Sequence, residues 1–174
     1  MGTVKVTVTR IDTISPGSVF RDECMKRKSI LLVEDNPDDE ILALRALKNN
    51  HLLDEVVVVH DGVEALDYLF CNGIYAGRDK TIMPQLILLD LKLPRMDGLE
   101  LLQRIRTDDR TKLLPVVILT SSNEERDLFN SYRLGANSYV RKPVNFIQFT
   151  EAIHQIKLYW LILNELPPSG GPGR

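Results

Sequence analysis

The stretch Leu86–Gly98, LILLDLKLPRMDG, limits the possible folds more than any other part of the chain. Four apolar residues, Leu86-Ile87-Leu88-Leu89, stop abruptly on a carboxylate, Asp90. A run without polar alternation fits a strand covered on both faces, the situation of a central strand in a parallel sheet. Pro94 and Asp97-Gly98 then break the chain, and a helix-like pattern follows. Asp90 thus falls at the carboxyl end of a buried strand, the edge where open α/β sheets gather their ligands. Taken alone, this carboxylate could equally begin a turn.

The flanking sequence repeats the pattern. Ser29–Val33 reads as a buried strand, and Asn36-Pro37-Asp38-Asp39-Glu40 as the capped, acidic start of a helix running to about Lys48. Glu55–Val59 is a β-branched strand, and Asp61-Gly62 turns into a helix with Val63, Leu66, Leu69 and Phe70 on one side. Cys71 to Pro84 reads as a long loop. After the Leu86–Leu89 strand come a short helix over Leu99 to Ile105 and a strand over Pro115–Leu119. Ser122-x-x-Glu125 has the form of a capping box, opening a helix that Gly135 ends. Asn137–Val140 is a short fifth strand, and Phe146 to about Leu163 the last helix. Five strands alternating with five helices predict a doubly wound parallel sheet. Right-handed crossovers would then place every strand's carboxyl end on one edge.

The ends of the chain stand apart from this pattern. In residues 1–28, Val4-Lys5-Val6-Thr7-Val8 alternates like a strand, Ser15-Pro16-Gly17 breaks it, and Lys26-Arg27-Lys28 is basic; a flexible extension is expected. The Pro/Gly-rich stretch Pro167–Gly173 predicts a disordered tail from residue 164 onward. That leaves 29–163 as one domain. A net charge of −2 lacks the basic excess of a nucleic-acid-binding protein. No apolar run approaches the ~18 residues of a membrane span, and the N-terminus has no signal-peptide core. Cys24 and Cys71 form neither a metal-ligand spacing nor a disulfide framework, and His51, His60 and His154 are scattered. A reducing cytoplasm is the expected setting.

The predicted topology brings several polar groups to one edge. The first strand ends in Glu34-Asp35, the third in Asp90 and the fourth in Thr120-Ser121-Ser122, and Arg141-Lys142-Pro143 follows the fifth. Three carboxylates at low dielectric repel one another unless a cation intervenes. Lys142 or a divalent metal would serve, and an open oxygen-ligand site with waters suits Mg²⁺ better than an enclosed Ca²⁺ cage.

ILLVEDNPDD, LILLDLKLPRMDG, VVILTSS and SYVRKP resemble the signatures of response-regulator receiver domains of two-component systems. The separations agree as well, 30 residues from Asp90 to Thr120 and 22 from Thr120 to Lys142. Four dispersed motifs in register are far more specific than one short match. VVVVHDGVEALDYLF, the long loop and the run from Pro84 also resemble the single-domain regulators paired with bacterial and cyanobacterial phytochromes. The resemblance implies a flavodoxin-like sheet in the order 2-1-3-4-5. It implies that Asp90 accepts a phosphoryl group from a phosphohistidine on a sensor histidine kinase, a bacterial phytochrome in that subfamily. Glu34, Asp35, Asp90 and the Lys92 backbone carbonyl would hold Mg²⁺. Thr120 and Lys142 would contact the phosphoryl oxygens, Thr120 and Tyr139 would act as the switch, and the Lys142–Pro143 bond would be cis. Lys92 stands where smaller polar residues are frequent in the family. Its side chain would shield the phosphoryl group or pair with Glu34.

With only 32 residues after Lys142, a stand-alone receiver signalling by contact is expected rather than a DNA-binding effector. In the last helix Phe149, Ile153, Ile156, Trp160 and Leu163 suit a core face. Leu158, Tyr159, Leu161 and Ile162 spill onto other faces and mark an interface, and the resemblance to the phytochrome-linked regulators implies that a homodimer forms there. Two other functions remain in view. A phosphatase of the haloacid dehalogenase type also uses a strand-end Asp and Mg²⁺ but wants a second Asp two residues later, where this chain has Lys92. A pseudo-receiver would bind partners without phosphorylation, yet every acidic, hydroxyl and amine position is filled.

Overall fold

A computed structural model describes residues 29–48 and 55–165. The expectations for residues 1–28 and for Pro167–Gly173 lie outside the described residues. The elements follow in the order β1 (Ser29–Val33), α1 (Pro37–Lys48), β2 (Glu55–Val59), α2 (Gly62–Phe70), β3 (Leu86–Leu89), α3 (Gly98–Thr107), β4 (Val116–Thr120), α4 (Glu125–Arg133), β5 (Ser138–Arg141) and α5 (Phe146–Leu158). A single 3₁₀ turn, Gly73–Tyr75, interrupts the long loop before β3.

All strand pairs are parallel, in the order β2-β1-β3-β4-β5. Every residue of β1, β3 and β4 is buried, so the unbroken apolar runs have the cause inferred for them: helices cover both faces. Strand alternation divides the side chains between two cores. Leu31, Val33, Ile87, Leu89 and Ile118 face α2 and α3. Ile30, Leu32, Leu86, Leu88 and Leu119 face α1 and α5. The chain leaves β1 toward β2 on one side and returns to β3 on the other, so the topological switch point lies between the carboxyl ends of β1 and β3. Val33 is in register with Leu89 there, and the Asp90 N–H donates to the Val33 carbonyl at 3.1 Å.

Local chemistry sets most helix starts. Asn36 Oδ1 accepts from the N–H groups of Asp38 (2.9 Å) and Asp39 (3.2 Å), Asp61 Oδ1 caps α2, Asp97 caps α3 and Asn145 caps α5. The capping box expected at Ser122 does not form. Helix α4 starts three residues later without a side-chain cap; Ser122 Oγ instead donates to Asp127 Oδ2 at 2.6 Å and accepts from the Glu124 N–H at 3.3 Å. A hydroxyl engaged by a carboxylate inside the helix pulls the chain into a loop before the first turn.

The last helix changes phase at its end. Tyr159–Leu163 winds as a π turn, closed by the Asn164 N–H on the Tyr159 carbonyl at 2.7 Å. The wider turn carries Leu161 into the core beside Phe149, Ile153 and Ile156, and turns Leu163 out to 72% exposure. Leu161 is therefore a core residue and not part of an exposed face, and Leu163, expected in the core, is exposed. Tyr159 and Ile162 remain exposed, and Leu158 is half-buried. Among the described residues no helix is long and apolar enough to cross a membrane.

Candidate functional site

The carboxyl edge assembles around the Lys142 ammonium. Its Nζ lies 2.7 Å from Glu34 Oε2, 2.7 Å from Asp90 Oδ2 and 2.8 Å from Asp39 Oδ2. Glu34 follows β1, Asp90 follows β3 and Lys142 follows β5, while Asp39 projects from the first turn of α1. The Lys142 N–H docks on the Thr120 carbonyl at 2.8 Å, so the end of β4 sets the height of the lysine above the sheet. The Glu34, Asp90 and Lys142 side chains are each no more than 6% exposed.

Asp90 is held from two sides. Oδ1 accepts from the N–H groups of Leu91 (2.6 Å) and Lys92 (3.2 Å), and Oδ2 faces Lys142. The loop below it is packed so tightly that a Cβ at Gly98 would run into the Asp90 carbonyl oxygen and stand 2.7 Å from Leu91 Cα. Arg95, in the left-handed region at φ +63°, bonds Asp61 Oδ2, while Asp61 Oδ1 caps α2. The loop after the carboxylate is thus tied to the neighbouring helix start.

Burial raises the Glu34 carboxyl to about 7, against the lowering effect of Lys142. For Lys142, burial acts to lower the ammonium pKa, but the hydrogen bonds to Asp39, Asp90 and Glu34 outweigh it and the net shift is upward. The site therefore keeps its internal cation and strains to keep all its anions. One further positive charge would relieve it. Oxygens of Glu34, Asp35 and Asp90 lie within 4.8 Å of one another, with Asp35 exposed to solvent. Three carboxylates with an open side fit a hard divalent cation that keeps some of its waters.

The sequence-derived residues come together with some corrections. Asp90, Glu34, Asp35, Lys142 and Thr120 gather at one edge. Thr120 is fully buried, its Oγ1 accepting from the Ser122 N–H at 3.3 Å. Tyr139 is half-buried against the α2–α3 core, its hydroxyl 3.5 Å from the Ser122 carbonyl, and burial raises its pKa. The Lys142–Pro143 bond is trans; among the described residues no peptide bond is cis. A cis X–Pro bond costs about 0.5–1 kcal/mol, and Lys142 reaches the carboxylates without it. The Lys92 side chain points into solvent and does not pair with Glu34, which Lys142 already holds. Asp39 was missed: in the sequence it reads as a helix-dipole residue, and only the fold shows it meeting Lys142. The buried Lys157 was missed as well. Its Nζ donates to the Leu47 carbonyl at the end of α1 at 2.8 Å, and burial lowers its pKa.

The model of the response regulator receiver domain matches residues 30–154. The response regulator Rcp1 of Synechocystis sp. is 38% identical over 146 residues, 84% of this chain and 97% of that protein. Its Mn²⁺-bound crystal structure superposes with a TM-score of 0.75, covering 81% of this chain and 99% of that one. The crystal structure of the phosphorylated cyanobacterial phytochrome response regulator RcpA is similar at 44% identity and a TM-score of 0.76, covering 82% of this chain and 99% of that one. The bacteriophytochrome response regulator AtBRR is similar at 52% identity and a TM-score of 0.64, with 80% and 99% covered. A haloacid dehalogenase-type phosphatase finds no support in these likenesses. With its strand order, its acidic edge around one lysine and these relatives, the chain belongs to the response regulator receiver domain family, whose members are signalling proteins that bind divalent metal.

Proposed function

We propose that this chain accepts a phosphoryl group on Asp90 from a phosphohistidine of a sensor histidine kinase and passes the signal on by contact. The observation that carries the reading is the Lys142 ammonium seated between Asp90 and Glu34 at the switch point of the sheet. An Asp90 carboxylate oxygen attacks phosphorus in line, forming an O–P bond as the P–N bond to imidazole breaks. The electron pair stays on the imidazole, which takes up a proton. Leu91 and Lys92 N–H groups hold the other carboxylate oxygen still. Lys142 neutralises charge on the incoming phosphoryl oxygens, the main demand of such a transfer. Glu34, Asp35, Asp90 and the Lys92 carbonyl would hold Mg²⁺, which would supply further charge neutralisation there.

Thr120 would turn its hydroxyl to the phosphoryl group, and half-buried Tyr139 would move inward into the space released. The likeness to RcpA and AtBRR favours a phytochrome-type kinase as the donor, and the expected setting is the cytoplasm. The exposed Tyr159 and Ile162 beside Leu158 support a homodimer, which light scattering at tens of micromolar would report as twice the chain mass.

Intact mass after incubation with acetyl phosphate tests the central reading. One phosphoryl adduct is expected on the wild type in Mg²⁺. It should be absent in Asp90→Asn and without divalent metal. An adduct that survives Asp90→Asn would sink the assignment.

A further inference from the structure

The ammonium of Lys142 has three N–H donors and no acceptor. The structure gives it three carboxylate partners, Glu34, Asp39 and Asp90, at 2.7–2.8 Å. Phosphoryl chemistry at Asp90 accounts for only two of them. Glu34 belongs to the metal group, within reach of Asp35 and Asp90, and Asp90 is the reacting carboxylate. Asp39 lies outside that group.

Asp39 is itself fixed. The Asn36 side chain accepts from its N–H at 3.2 Å and from that of Asp38 at 2.9 Å, while the Asn36 N–H donates to Glu34 Oε1 at 3.3 Å. Glu34, Asn36, Asp39 and Lys142 therefore close a hydrogen-bonded ring between the end of β1, the start of α1 and the end of β5. The Asp39 side chain is 31% exposed, against 2% for Glu34 and 6% for Asp90, so its charge adds the least burial cost.

We propose that Asp39 is a positioning residue for phosphoryl transfer: it anchors the Lys142 ammonium from the α1 side, so that one N–H remains aimed at Asp90 and the phosphoryl group it receives. This rests on the reading of Asp90 as the acceptor. When Asp90 carries a phosphoryl group, its contact with Lys142 passes to a phosphoryl oxygen. When a cation binds, Glu34 turns part of its charge to it. The Asp39 contact is the one that neither event consumes. Without it, a flexible four-carbon side chain is held only by partners that are changing during the reaction.

Rates of acetyl phosphate-driven phosphorylation of the full chain in Mg²⁺, followed by intact mass, provide the test. Asp39→Ala should slow the reaction about tenfold, the value of one charge-assisted hydrogen bond. Asp39→Asn keeps an acceptor oxygen without the charge and should stay within about threefold of wild type. In a Lys142→Met background, Asp39→Ala should change nothing further, because the residue acts through that lysine. The Lys142 Nζ resonance gives a readout independent of turnover. It should be protected from solvent exchange in the wild type and in Asp39→Asn, and broadened in Asp39→Ala. Several results would overturn the role: Asp39→Ala at the wild-type rate or faster, Asp39→Asn as slow as Asp39→Ala, or an undiminished effect in the Lys142→Met background. A wild-type chain that takes up no phosphoryl group would instead overturn the Asp90 assignment.

Discussion

The sheet has a deep half and a shallow half. Strands β1, β3 and β4 are buried at every residue, with helices against both faces. Strand β5 has no fully buried residue, and α4 buries only Ser131 while leaving Phe129 66% and Tyr132 53% exposed. The groups that must hold fixed positions, Glu34 and Asp90, stand on the deep half. Tyr139, which the proposed mechanism asks to move, stands on the shallow half. A dense core fixes a nucleophile to within tenths of an ångström, and a thin one leaves room for two arrangements of nearly equal energy. Lys142 joins the halves: its backbone continues β5, and its ammonium sits among carboxylates of β1, β3 and α1.

Cavity-forming substitutions give the largest expected difference. Leu88→Ala, fully buried in β3, should cost about 2–5 kcal/mol in urea unfolding. Phe129→Ala on α4 should change stability by less than about 0.5 kcal/mol. Equal losses at the two positions would abolish the distinction between the halves.

The next effect concerns the charge stored in the deep half. With the Glu34 carboxyl raised from 4.5 to about 7, the folded chain holds a proton between those values that the unfolded chain has released. Stability must then fall as pH rises across this window. In buffer with a metal chelator, the loss between about pH 5 and 8 should reach about 3 kcal/mol at most. Glu34→Gln should flatten the profile, and so should saturating Mg²⁺ in the wild type, by binding only the ionised form. A profile equally steep in Glu34→Gln would place the strain elsewhere.

The smallest effect probes the shallow half. Ser131 Oγ, on the inward side of α4, is buried and has no hydrogen-bond partner among the described residues. Ser131→Ala removes a desolvated hydroxyl and should stabilise the chain by up to about 1 kcal/mol. A destabilised Ser131→Ala would mean that α4 is better packed than its exposure implies.

Most of the architecture was legible because its causes are local. Unbroken apolar runs that stop on a carboxylate, Glu34 or Asp90, gave β1 and β3 their exact ends. Side-chain caps at Asn36 and Asp61 act within three residues of their own position. The failures share a different cause. Ser122 has the spacing of a capping box, yet Asp127 takes its hydroxyl. The last helix reads as one continuous pattern, yet a π turn re-phases it so that Leu161, not Leu163, enters the core. A three-residue spacing or a helical period cannot register a competitor that only packing supplies.

The sequence by itself determined the doubly wound sheet, the edge where its chemistry sits and most of the groups that meet there. Strand burial, capping and right-handed crossover leave few other arrangements. Only the tertiary structure decided how those groups pair. Asp39 and Lys142 are 103 residues apart, and Glu34 and Lys142 108. Which carboxylate reaches which N–H depends on ångström-level offsets between α1, β1 and β5, and no periodicity along the chain encodes those offsets.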